Sequence, residues 1–443
     1  MLFFYGVYQT MRRQIVHEGA DQLTYEIRGI VEIAQQVCDS GVEVYWENIG
    51  DPILKGEKLP GWMKAIVSEL VTDDATYGYT DTQGLLSTRE FIAKKVNLRG
   101  GVQVTSKDII FFNGLGDAVA RIFGFMKREA RVIGPSPAYS THSSAEAAHS
   151  GYDHLTYKLK PHDNWMPDLD DLEKKIQYND SIAGMLVINP DNPTGAVYPR
   201  DVLERMIEIA RRHQVFVIFD EIYAGIIYNG ARTASLAEVI GDRPGMALRG
   251  ISKELPWPGS RCGWVEAYNQ DRHPMFKRYV SSLISAKRLE VCSTSLPQYV
   301  IPRIMGDPRY QGHLEKRCKM YEQRANRAFD ILKDVPGITV VRPRGAFYMT
   351  VLFNPGVLTE GQCLDITNPE VKSLIEKKVE GVKPDKRFVY YLLGATGICV
   401  VPLTGFCCEF DGFRLTMLES DDERADMIWN TIAQSIRDYL GSA

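Results

Sequence analysis

Four polar or glycine-rich clusters stand immediately after short apolar runs in this 443-residue sequence, where an open parallel sheet places its ligands. Asn113-Gly114-Leu115-Gly116-Asp117-Ala118 follows Ile109–Phe112 and leads into a helix-patterned run through Met126. Free N–H groups at such a helix start suit a phosphate, although a strand-to-helix turn asks for glycine on steric grounds alone. In Asn189-Pro190-Asp191-Asn192-Pro193-Thr194-Gly195, two prolines remove donors and stiffen a turn that presents Asn192. Phe219-Asp220-Glu221-Ile222-Tyr223 ends an apolar run on a carboxylate, with a phenol three positions on; alone, Asp220 reads as a helix cap. Gly250-Ile251-Ser252-Lys253 closes the run Met246–Arg249, and Pro258-Gly259-Ser260-Arg261-Cys262-Gly263-Trp264 follows it. A lysine entering a cleft from a strand end loses water, which lowers its pKa and makes the amine nucleophilic. Solvent is the usual place for a lysine, so the conjunction of the four clusters carries this reading.

These clusters need a sheet to position them. Between about Ser106 and Val265 the chain alternates apolar runs with helical patterns, which predicts α/β architecture with a mainly parallel sheet between helices. The expected strands are Ile109–Phe112, Arg131–Ile133, Met185–Ile188, Val215–Phe219 and Met246–Arg249. Pro199–His213 has helical apolar spacing, with Pro199 early and Asp201 in the first turn, as a crossover helix requires. After Arg309 a long charged helical pattern runs to Leu332, then come the runs Ile338–Val341 and Phe347–Leu352, which predicts a smaller α+β domain; Asn354–Thr367 is turn-rich and reads as a loop. The expected division is 1–59 as an N-terminal segment packing with the small domain and covering the site, 60–305 as the large domain, and 306–443 as the small C-terminal domain.

Composition narrows the partners. A formal charge of −4, with 44% apolar and 24% charged residues, gives no bulk reason to bind nucleic acid or an anionic membrane. Eight cysteines without a CxxC pair favour a reduced, cytoplasmic setting, and no metal is expected. No apolar run approaches the roughly 20 residues that span a bilayer, and Met1–Tyr8 lacks the flanks of a signal peptide.

Taken together, the clusters resemble the fold-type-I pyridoxal-phosphate enzymes, specifically the class I/II aminotransferases. Further segments point to the alanine (glutamate-pyruvate) aminotransferase branch: Tyr25-Glu26-Ile27-Arg28-Gly29, Asn48-Ile49-Gly50-Asp51-Pro52, Trp165–Leu172, Arg342–Tyr348 and Phe413-Arg414. The resemblance implies that Lys253 bonds pyridoxal 5'-phosphate as a Schiff base and that Asp220 faces the ring nitrogen, where a carboxylate keeps the ring an electron sink. It implies Asn192 and Tyr223 at the ring's 3′ oxygen and Tyr139 stacked on its face. Ser252, Arg261 and the backbone of Gly114-Leu115-Gly116 would hold the phosphate, which matches its preference for convergent N–H groups and a guanidinium fork. Tyr79, within Tyr77–Gly84, would reach the phosphate of a neighbouring subunit, so a homodimer with shared active sites is implied. Arg414 would bind the substrate's α-carboxylate, with Gly50 beside the substrate and Tyr25 and Arg28 covering the site.

Two segments depart from the branch. Glu254-Leu255-Pro256-Trp257-Pro258 separates Lys253 from Arg261, where relatives carry an aromatic residue or threonine and no such proline pair, and Thr404–Phe410 also differs. The expected reaction is ping-pong transfer of an amino group between an L-amino acid, alanine first, and 2-oxoglutarate or pyruvate. Aspartate or aromatic transamination, or β-elimination on the same scaffold, is the alternative.

Overall fold

The computed structural model describes residues 15–23 and 26–442, the side chains of 26–28 apart. In chain order the strands are β1 (Tyr45–Trp46), β2 (Ile109–Phe112), β3 (Arg131–Ser136), β4 (Thr156–Lys160), β5 (Met166–Pro167), β6 (Ile182–Ile188) and β7 (Phe216–Asp220). They continue with β8 (Gly245–Gly250), β9 (Gly263–Tyr268), β10 (Ile338–Val340), β11 (Tyr348–Phe353), β12 (Ile398–Cys399), β13 (Val401–Pro402) and β14 (Gly412–Thr416). Eight of them form one sheet in the order β2-β9-β8-β7-β6-β3-β4-β5. The pairings from β8 through β7, β6 and β3 to β4 are parallel, whereas β9 runs antiparallel to both its neighbours and β5 to β4. The mainly parallel α/β architecture expected from the sequence is therefore present.

Period-2 geometry explains why these strands read as unbroken apolar runs. Ile109, Phe111, Met185, Val187, Val217 and Phe219 enter one core, while Ile110, Phe112, Leu186, Ile188 and Ile218 enter another on the opposite face. Both faces are covered, so no position along the strand calls for a polar residue. The crossover helix occupies Arg200–Arg212 and buries Leu203, Met206, Ile207, Ile209 and Ala210. Strand β9 was not expected. Its Glu266 interrupts the apolar signal, yet the carboxylate is fully buried and accepts hydrogen bonds from Trp264 Nε1 (3.0 Å) and Tyr268 Oη (2.6 Å); a paired buried charge is tolerated where a bare one is not.

The C-terminal part centres on a second, antiparallel sheet, β10-β11-β14-β13, with its own core. The 24-residue helix Arg309–Leu332 precedes it, as the charged pattern predicts. Early residues join this part: β1 pairs in parallel with β12, Thr416 N donates to Glu47 O (2.9 Å), and Thr416 Oγ1 donates to Glu47 Oε2 (3.0 Å).

Candidate active site

Register brings the four clusters to one edge. Ile188 of β6 lies opposite Asp220 of β7, which lies opposite Leu248 of β8, so the three parallel strands end together. Gly263 of β9 faces both Phe112 and Gly250, which sets the Gly114 turn beside the short helix Ile251–Glu254 that carries Ser252 and Lys253. Ligands of open α/β sheets bind at such carboxyl ends.

Lys253 is half-buried and its Nζ donates to Gly50 O at 2.6 Å, 5.5 Å from the centre of the Phe347 ring. Burial pulls the amine down to about 8; Arg414 and Arg261 push the same way, while Asp51 and Asp220 oppose. Gly50 is matched to this spot, because a Cβ there would lie 2.2 Å from Tyr348 Oη. From behind, Arg317 of the long helix donates to the Lys253 carbonyl and, through Nε, to Glu57 Oε1 at 2.6 Å.

Asp220 is 4% exposed, with Oδ2 2.9 Å from His142 Nε2 and Oδ1 accepting from Ile222 N (3.1 Å). Tyr139 is half-buried and meets His142 edge-on, ring centres 6.1 Å apart. Tyr223 Oη and Tyr348 Oη are 2.9 Å apart and share a hydrogen bond, both rings buried. Arg414, on β14, is 2% exposed; its Nη1 donates to Asn192 Oδ1 (3.2 Å) and its Nη2 to Asn48 O. The guanidinium lies over the Tyr348 ring at 4.6 Å and the Phe406 ring at 5.2 Å, and its Nε is buried without a hydrogen-bond partner among the described residues.

At the other end of the cleft, Gly114 caps the helix Leu115–Gly124 with φ +81°. A Cβ at Gly114 would lie 2.5 Å from Arg261 Nη2, so glycine is needed both for the backbone and for the approach of the guanidinium. Among the described residues Arg261 has no carboxylate partner and hydrogen-bonds only to carbonyls, Pro258 O (3.3 Å) and Asn113 O (3.5 Å). An exposed guanidinium over the N–H groups that open a helix makes an anion cradle. Ser252 is half-buried beside Lys253.

Sequence reasoning missed three residues. His142 backs Asp220 from a helix that carries no apolar-run signal, and Tyr348 links Tyr223, Gly50 and Arg414 although only its segment was singled out. Phe406 lies in the divergent Thr404–Phe410 stretch, and only its place against Arg414 gives it meaning. Tyr79 is not brought in: it is 85% exposed. Tyr25 and the side chain of Arg28 lie outside the described residues.

A half-buried lysine, a carboxylate held by histidine and an anion cradle at one sheet edge, with a buried arginine supplied by the second sheet, define an enzyme site. The chain belongs to the aminotransferase class I and II family, whose model matches residues 48–432. It is similar to an uncharacterized aminotransferase of Methanocaldococcus jannaschii, 53% identical over 430 residues that cover 97% of this chain and all of the relative. It is 32% identical to the glutamate-pyruvate aminotransferase of Escherichia coli K12, over 74% of this chain and 80% of that one. A crystal structure of an Escherichia coli aminotransferase matches with a TM-score of 0.83 at 27% identity, over 97% of this chain and 100% of that one. The protein is an aminotransferase.

Proposed function

We propose that the enzyme uses pyridoxal 5'-phosphate to move an amino group between alanine and 2-oxoglutarate, with glutamate and pyruvate as the other pair, by a ping-pong mechanism in the cytoplasm. The observation that carries this is that one short segment brings Lys253 and the buried Arg414 together, Gly50 accepting from the amine and Asn48 from the guanidinium. The residues fit the cofactor: Gly114 leaves the space that a Cβ would take from Arg261, and Arg261 has no carboxylate partner among the described residues. Ser252, Arg261 and Gly114-Leu115-Gly116 would take the phosphate, Asp220 the ring nitrogen, Asn192 and Tyr223 the 3′ oxygen, Tyr139 the ring face, and Lys253 the covalent bond. When bound, the cofactor supplies the electron sink that makes an amino acid's α-proton removable.

The chain's own groups do the rest. Arg414 fixes the α-carboxylate through its fork, so the α-C–H faces a known side of the cleft. The Lys253 amine would serve as the base that takes the α-proton and, once protonated, as the acid that gives it back, roles that an amine with a pKa of about 8 fills in both directions near neutral pH. Asp220 would face the ring nitrogen, and His142 and Ile222 N fix the orientation of its carboxylate. Tyr348 holds Tyr223 by its hydroxyl and Arg414 by its face. The covering role falls to residues 1–59, with Arg28 as the partner for glutamate's distal carboxylate and Tyr25 beside it; residues 60–305 form the cofactor domain and 306–443 the small domain.

The alanine assignment draws on the Escherichia coli relative's name, glutamate-pyruvate aminotransferase. A spectrophotometric half-reaction screen of the purified protein against single amino acids tests it. Alanine and glutamate are expected to bleach the visible cofactor band fastest and to leave a 2-oxo acid. Faster reaction with aspartate or phenylalanine, or release of ammonia, would replace the alanine reading with the aspartate, aromatic or β-lyase one.

A further inference from the structure

A second cavity, about 550 Å³, opens on the other side of the same strand ends, bordered by Glu221 and Glu254, the chain neighbours of Asp220 and Lys253. That volume suits a small metabolite. Its three carboxylates are already engaged by the protein. Glu221 accepts from Leu236 N (2.6 Å) and from Arg249. Glu254, in the segment that departs from the family, accepts from Gly225 N (2.8 Å) and Tyr310 Oη (2.9 Å). Glu238 accepts from Arg200 (2.5 Å) and from Ser235 N and Oγ (2.8 Å each).

The cations are not matched in the same way. Among the described residues Arg99 and Arg232 make no ion pair, and Lys95 gives its ammonium only to the Met305 carbonyl (2.9 Å) and to the faces of Phe91 and Tyr310. Burial, and after it the like charge of Arg99, holds the Lys95 amine below its ordinary value. The carboxylate that acts on Lys95 from across the cavity, Glu254, is already bonded to Gly225 N and Tyr310 Oη, so a half-buried ammonium beside another cation is left short of negative partners, an arrangement that an incoming anion relieves. What the cavity leaves unengaged is therefore a set of donors on positive groups.

We propose that this cavity is a second anion site, taking a small molecule with carboxylate or phosphate oxygens held by Lys95, Arg99 and Arg232. The cavity is bordered by the residues that follow Asp220 and Lys253, and neither of those two side chains lines it. The site does not depend on which amino acid the enzyme uses.

Calorimetric titration of the protein saturated with pyridoxal phosphate, at fixed ionic strength, tests this with inorganic phosphate and with succinate as separate probes. At least one probe is expected to bind, with affinity falling tenfold or more in the Arg99→Ala/Arg232→Ala variant while the visible spectrum and basal turnover stay as in the wild type. Phosphate as the sensitive probe marks a phosphorylated ligand, succinate a carboxylate one. Should the double alanine variant fold poorly, Arg99→Gln/Arg232→Gln keeps length and polarity and is expected to lose the same binding. No binding of either probe, or equal binding to wild type and variant, overturns the proposal.

Discussion

An amine drawn down to about 8 by burial is half deprotonated two to three pH units below an ordinary lysine, whose value is about 10.4. The free amine is the form that attacks a carbonyl. Uptake of pyridoxal phosphate by cofactor-free protein is therefore expected to accelerate with rising pH and to level off above about pH 8, followed by the visible absorbance of the bound form. Lys253→Ala is expected to show no such band at any pH. A wild-type profile that keeps climbing to pH 10 would mean that Lys253 behaves as a solvated lysine, and the proton-transfer role proposed for it would lose its physical basis. At this same scale Tyr348 is a joint: one ring touches Arg414, one hydroxyl meets Tyr223, and the absence of a side chain at Gly50 makes room for both.

Among the elements, the Gly114 turn makes the sharpest demand. Its φ of +81° costs a side-chain-bearing residue about 1–2 kcal/mol, and the added Cβ also drives into Arg261. Gly114→Ala is expected to lower folding stability by that order. It is also expected to weaken pyridoxal phosphate about tenfold to a hundredfold, the loss of one charge-assisted hydrogen bond of roughly 1.5–3 kcal/mol. Equilibrium dialysis and thermal unfolding read the two effects separately, and unchanged cofactor affinity would remove Arg261 from the cradle. The turn itself was legible in the sequence because glycine spacing after an apolar run is a local signal, and so were the doubly buried strands β6, β7 and β8. His142 and Phe406 were not, because each matters through a contact with a residue far along the chain, at Asp220 and Arg414. Strand β9 was hidden for the same reason: Glu266 is acceptable there because Trp264 and Tyr268 turn their donors toward it and Arg249 of β8 lies 3.5 Å away.

For the molecule as a whole, two exposed tyrosines flank Gly78, on a segment tied towards the cradle. Tyr77, Tyr79 and Leu289 are 74%, 85% and 84% exposed, Ser295 Oγ donates to Gly78 O (2.7 Å), and Thr294 N to Asn113 Oδ1 (3.0 Å). Two tyrosine rings left in solvent on one segment suit an interaction surface, and we propose a homodimer there, with Tyr79 serving the neighbouring subunit's phosphate. Mixing Tyr79→Ala and Lys253→Ala subunits, each of low activity alone, puts both lesions in one site of the mixed dimer and neither in the other. Activity is expected to recover toward half of the wild-type value per mixed dimer. Verified mixed dimers without recovery would assign Tyr79 to its own chain.

The stitching of residues 45–48 onto β12 and β14 has a mechanical meaning. Asn48 gives its carbonyl to Arg414, and two residues later Gly50 gives its carbonyl to Lys253. This short segment thus has one carbonyl on the guanidinium and another on the amine. A carboxylate bound at Arg414 as proposed would meet a guanidinium that Asn48 already holds, and only Ile49 separates Asn48 from Gly50. On the proposed reading of Arg414 as the carboxylate's partner, preference for α-amino acids over simple amines is expected to depend on this joint as well as on the guanidinium itself.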